Sequence, residues 1–73
     1  MDKKLTQQKL KMWKENLAHL ENELASVMAK KGEAAQKGDL SENAAYTMAS
    51  EDADTYRVQI NQVKKIIANL ESK

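Results

Sequence analysis

Asp39 and Glu42 are the side chains in this sequence whose type and spacing point most directly to chemistry. They stand three residues apart in Gly38-Asp39-Leu40-Ser41-Glu42-Asn43, where Ser41 adds a hydroxyl and Asn43 an amide. Two carboxylates at that spacing on a helix start can reach one point and act together on a hard cation. The same Asp-x-x-Glu pattern is also a capping box. In that role Asp39 accepts from first-turn amides and Glu42 reaches back to the cap amide. The two roles are compatible, because a cap holds its own carboxylate in place.

Little else in the composition offers chemistry. The chain has no cysteine, so it has neither a disulfide nor a thiolate metal site. Its one histidine, His19, cannot make a zinc site alone. The net charge of +1 argues against nucleic-acid binding through bulk charge. No apolar run approaches a membrane span, and no signal-peptide core follows Met1. The cytoplasm, with no membrane partner, is the expected compartment. Up to Lys37 there are eight Lys/Arg and five Asp/Glu, and from Gly38 onward four and six. The first half is thus mildly basic and the second mildly acidic.

The elements that must carry the acidic pair follow from apolar spacing. Leu10, Trp13, Leu17, Leu20, Leu24 and Val27 alternate by three and four residues, which is a coiled-coil seam, and Ala34 continues the register. Ala49, Ala53, Tyr56, Ile60, Val63, Ile67 and Leu70 form a second seam. Gly38 suits the left-handed position that ends a helix, and Asp39 the cap that opens the next. A short turn between long helices makes them antiparallel. The expected fold is therefore all-α, an antiparallel two-helix coiled-coil hairpin forming one domain over residues 1–73. Helix one is expected at about 3–36, the tip at 37–41 and helix two at about 42–71. Folding at Gly38 brings Leu10 near Ile67 or Leu70, Leu17 near Ile60, and Val27 near Ala49 or Ala53. Helices of about 30 residues make a rod roughly 45–50 Å long. Alanines dominate the seam near the tip, so the rod narrows there.

A hairpin of this size buries only one stripe per helix. Met12, Met28, Val58 and Ile66 fall off the seam, and Trp13 is large for a two-helix base. Small scaffolds without staples need extra burial. Self-association through the hairpin base, giving a homo-oligomer, is the expected remedy.

The stretch Gly38-Asp39-Leu40-Ser41-Glu42-Asn43-Ala44-Ala45-Tyr46 closely resembles the tip of the Gre family of bacterial transcript-cleavage factors, whose motif reads like GDLxENAEY. Only Ala45 departs from it, standing where the family usually has Glu. The motif sits at the bend that the heptads locate independently. As a hairpin the resemblance covers essentially the whole chain. It corresponds to the amino-terminal half of a Gre protein, without the carboxy-terminal globular domain.

The resemblance implies a mechanism. Gre hairpins enter the secondary channel of bacterial-type RNA polymerase. Their acidic pair helps hold the second magnesium ion and an attacking water in the polymerase's own active site, and backtracked RNA is hydrolysed. Carried over by position, Asp39 and Glu42 match that pair, with Ser41 and Asn43 beside it. The chain would then be no enzyme itself, would bind no cofactor alone, and would meet the nascent RNA 3′ end only indirectly. Two other readings stand beside this one. The hairpin could occupy the channel without cleaving, or it could be a coiled-coil oligomerisation module whose tip is only a cap.

Other residues read more plainly. Lys30, Lys31 and Lys37 form a solvated face, with RNA contact as the alternative. The family often has an Arg before the Gly, where this chain has Ala34-Ala35-Gln36-Lys37. Glu51, Asp52 and Asp54 read as a solvated acidic face rather than a second metal site. Tyr46 suits packing against helix one, Tyr56 the seam, and His19 solvent. Gly32 costs helix stability, about 1 kcal/mol relative to Ala, and offers a place for a bend.

Overall fold

The computed structural model describes residues 2–37 and 43–72. These form two helices, α1 (Lys3–Ala35) and α2 (Ala44–Glu71), packed along their length as an antiparallel hairpin. The Cα trace of the rod measures 55 × 14 × 12 Å. The all-α hairpin expected from the two heptad runs is the fold observed.

Local chemistry sets the ends. Asp2 caps α1, its Oδ1 accepting from the Lys4 amide at 2.9 Å, and its carbonyl accepts from the Thr6 amide and hydroxyl. No proline interrupts either helix. The last turn of α1 tightens. The Gln36 amide is shared between the carbonyls of Gly32 and Glu33, and the Lys37 amide donates to the carbonyl of Ala34. At the other end of the chain, the Ser72 amide and hydroxyl satisfy the carbonyls of Ala68 and Asn69.

The seam is as the spacing requires. Val27, Ala34, Ala49, Ala53, Ile60, Val63 and Ile67 are buried, and Ala53 has no exposure at all. Val27, Ala49 and Ala53 form one cluster, flanked by Leu24 and Tyr56. With methyl groups on the α2 side, the helices can approach closely there. Towards the base, Leu10, Trp13, Leu17 and Leu20 are only half-buried. None of the large side chains among the described residues is fully buried. His19 is exposed, as are Met12, Met28 and Val58, whereas Ile66 is half-buried.

The described α1 closes at Ala35 and the described α2 begins at Ala44. In the middle of the hairpin the pairing differs from that expected. Ile60 lines a shallow groove with Glu21, Leu24 and Ala25, nearer the bend than the Leu17 level expected. The difference is confined to the middle and base of the hairpin, because nearer the bend Val27 packs with Ala49 and Ala53 as expected. At the base, Lys14 and Glu71 pair at 3.3 Å across the helices. Both are about half exposed, so the pair marks register more than it stabilises. Because Glu71, the last residue of α2, pairs with Lys14, the start of α1, with Leu5 at 45% exposure, extends past the end of α2.

α1 runs through Gly32 without a break. A Cβ placed at Gly32 meets nothing within 4 Å. Gly32→Ala therefore adds helix propensity at no steric cost. It is expected to stabilise the hairpin by about 1 kcal/mol, read as a higher urea-unfolding midpoint with an unchanged slope.

Candidate tip site

At the bend, the last turn of α1 and the first turn of α2 meet through one amide. Asn43 is the N-cap of α2, with φ −92° and ψ 92°, and its Oδ1 accepts from the Tyr46 amide at 3.1 Å. Its Nδ2 donates across the hairpin to the carbonyl of Ala34 at 2.6 Å. The Asn43 carbonyl also accepts from the amide and hydroxyl of Thr47. One residue thus satisfies an orphan donor at the start of α2 and joins it to a carbonyl of the closing turn of α1. Ala34, 5% exposed, presents only a methyl group to the neighbouring helix, which lets Asn43 come within reach.

A second contact lies beside the first. The ammonium of Lys31 sits 5.4 Å from the centre of the Tyr46 ring, and both residues are half-buried. A cation over a tyrosine face at this depth is worth about 0.5–1 kcal/mol. Tyr46 therefore meets helix one near the tip, as its spacing suggests. Lys31 faces that ring, while Lys30 and Lys37 remain exposed. The latter two line a shallow groove on one face of the rod with Val27, Ala45, Met48 and Asp52.

The candidate residues divide between described and undescribed positions. Asn43 is placed as above. Asp39, Ser41 and Glu42 lie outside the described residues. The N-cap of α2 is Asn43 and not Asp39, so the capping box expected at Asp39 and Glu42 is not what opens this helix. Both acidic residues precede the cap in the chain. The argument that helical spacing aims them at one point does not carry over to α2 as described. The signal for the true cap was present in the sequence. Asn followed by Ala-Ala-Tyr is a good helix start, but it overlaps the stronger Asp-x-x-Glu signature four residues earlier. The cross-hairpin arm to Ala34 has no signature within one helix.

On α2, Glu51, Asp52 and Asp54 are all exposed, and Asp54 pairs with Arg57 at 3.1 Å. The Arg57 guanidinium also reaches Met28 Sδ at 3.4 Å across the hairpin. Among the described residues no group of three or more His, Asp or Glu side chains is gathered to hold a metal ion. No described helix is long and apolar enough to cross a membrane.

Comparison with known families agrees with the geometry. The model of the GreA/GreB family, described as transcription elongation factor, N-terminal, matches residues 3–71. This chain belongs to that family. It has the hairpin of the Gre amino-terminal domain, and the family's role is that of a transcription elongation factor rather than a catalyst. Comparisons with curated proteins and with solved structures returned no match.

Within the Gre-like motif, the described residues have structural work. Asn43 bridges the helices, Tyr46 receives the cap and the Lys31 ammonium, and Ala44 opens α2. Asn43→Ala removes both amide arms. Loss of the cap costs about 1 kcal/mol and loss of the cross-helix bond a similar amount. A fall of about 2 kcal/mol in unfolding free energy is therefore expected from urea titration followed by far-ultraviolet circular dichroism.

Proposed function

We propose that this Gre-family hairpin binds bacterial-type RNA polymerase through its secondary channel and stimulates the polymerase's own cleavage of backtracked RNA. The observation that carries this reading is the place of the acidic pair. By sequence, Asp39 and Glu42 belong to the short stretch that joins the two helices of a thin rod, whose Cα trace spans 14 × 12 Å in section. A rod of that shape can present two carboxylates deep inside another protein. The compartment is then the one where such a polymerase works, the bacterial cytoplasm.

The donor chemistry suits magnesium. Carboxylates are the hard oxygen ligands it prefers, and two are what a partner commonly contributes. Two carboxylates fall well short of an octahedral shell, and the described residues gather no further set. Asp39 and Glu42 would therefore complete a site whose other ligands belong to the polymerase. The ion supplies Lewis acidity and a more acidic bound water there. Ser41 stands between them as a hydroxyl that can orient a water. The hairpin contributes ligands to another enzyme and meets the RNA 3′ end only through it.

A second property rests on a separate observation. No large side chain is fully buried among the described residues, and Trp13, Leu20 and Ile66 lie half-buried around a shallow groove near the base. Pairing of two bases would remove this surface from water, at about 25 cal/mol per Å² of apolar area. Sedimentation equilibrium at micromolar concentration is expected to give a species of at least twice the chain mass, and a monomer throughout would remove this part of the proposal.

The functional test uses stalled, backtracked bacterial elongation complexes. Adding the hairpin is expected to shorten the transcript from its 3′ end. Asp39→Asn or Glu42→Gln should leave helicity nearly intact and lower the stimulated rate by at least the 10–100-fold typical of lost metal-site partners. Inhibition without shortening would instead identify a channel blocker, and absence of binding a purely structural module.

A further inference from the structure

Asn43 makes contacts that neither capping alone nor coiled-coil packing requires. A cap needs only the acceptor Oδ1, which the Tyr46 amide uses. The donor Nδ2 is committed to the carbonyl of Ala34, nine residues back and on the other helix. That carbonyl already accepts from the Lys37 amide at 3.2 Å, so the added bond is not needed to satisfy it. What the bond does is fix the distance between the end of α1 and the start of α2. Lys31 over the Tyr46 ring braces the same two turns one helical turn further from the bend.

We infer that Asn43 is a positioning residue, whose amide clamps the two helix ends and so sets the span that residues 38–42 must close. This rests on the proposed role of Asp39 and Glu42. The physical consequence is large for its size. A pair of ligands must arrive at a metal site within a fraction of an ångström, and a misplacement of about 1 Å can cost 100-fold in rate. The segment is anchored on one side by the closing turn of α1, through Lys37, and on the other by Asn43 itself. With the clamp in place, the entry and exit of the segment are fixed. Without it they are free to separate, although both helices persist. Asn43 then acts through Asp39 and Glu42, with its own amide turned inward and occupied.

Two variants separate this role from capping. Asn43→Ser keeps a capping oxygen but is too short to span to Ala34. Asn43→Asp keeps size, shape and cap while replacing the donor amide with an acceptor. The chain has no cysteine, so nitroxide labels can be placed singly on cysteines introduced at the exposed helix-end residues Ala35 and Ala44. In the unsubstituted background the label separation is expected to be narrowly distributed. Both variants should broaden it while leaving helix content unchanged. In backtracked elongation complexes, both should lower the saturating cleavage rate by about tenfold or more without raising the hairpin concentration needed for half-saturation. A distribution that stays narrow in both variants, or a full saturating rate despite a broad one, overturns the inference. If the unsubstituted hairpin stimulates no cleavage, the proposed function fails and the positioning role fails with it. The label distances then decide separately whether Asn43 clamps the bend.

Discussion

Close approach of the helices at the bend is the constraint on which the rest of this hairpin depends. It is made possible by side chains that take up almost no room. Ala53 is wholly buried, Ala49 and Ala34 nearly so, and Val27 fills the space they leave. Only because the backbones come together there can an asparagine on α2 reach a carbonyl of α1. The energetic contribution of three methyl groups is modest. Their importance lies in geometry, because bulkier residues at these positions would separate the turns that Asn43 joins. The base is built the other way, from large residues that two helices alone leave half exposed. The molecule is therefore tight where the acidic segment is attached and unfinished at its far end.

This contrast bears on function. An element that inserts into another protein needs a narrow, well-defined leading end, whereas its trailing end can be wide and can carry further contacts. The Gre-like motif is distributed accordingly. Asn43 and Tyr46 serve the bend itself, the one through two hydrogen bonds and the other beneath the Lys31 ammonium. Asp39 and Glu42 are not required as the cap of α2, since Asn43 has that task. Ala45, where the family usually has Glu, lines the groove beside the bend with Met48 and leaves that face less acidic.

The sequence made the fold legible because heptad spacing is a long-range, redundant signal. All thirteen residues named in the two seam runs are at least half-buried, from Leu10 to Val27 and from Ala49 to Leu70. The register was less legible. It depends on where the second helix starts, and two cap signatures overlap there. Spacing favoured Asp39 with Glu42, but the tertiary bond from Asn43 to Ala34 favours the later start, and that bond is invisible to any pattern confined to one helix. Further from the bend the pairing is displaced by about two turns, with Ile60 beside Leu24 rather than Leu17. For the acidic pair itself, the motif remains the whole of the signal, because Asp39 and Glu42 lie outside the described residues.

The central claim is that Asp39 and Glu42 contribute ligands to a magnesium ion in the active site of RNA polymerase. The magnesium dependence of transcript cleavage tests this most directly. Cleavage in a stalled complex should be titrated with magnesium, first alone, then with the hairpin, then with its Asp39→Asn form. If the carboxylates join the metal site, the hairpin will shift half-maximal cleavage to lower magnesium, and Asp39→Asn will abolish the shift while the hairpin still binds. A magnesium midpoint that is the same with and without the bound hairpin would contradict the account.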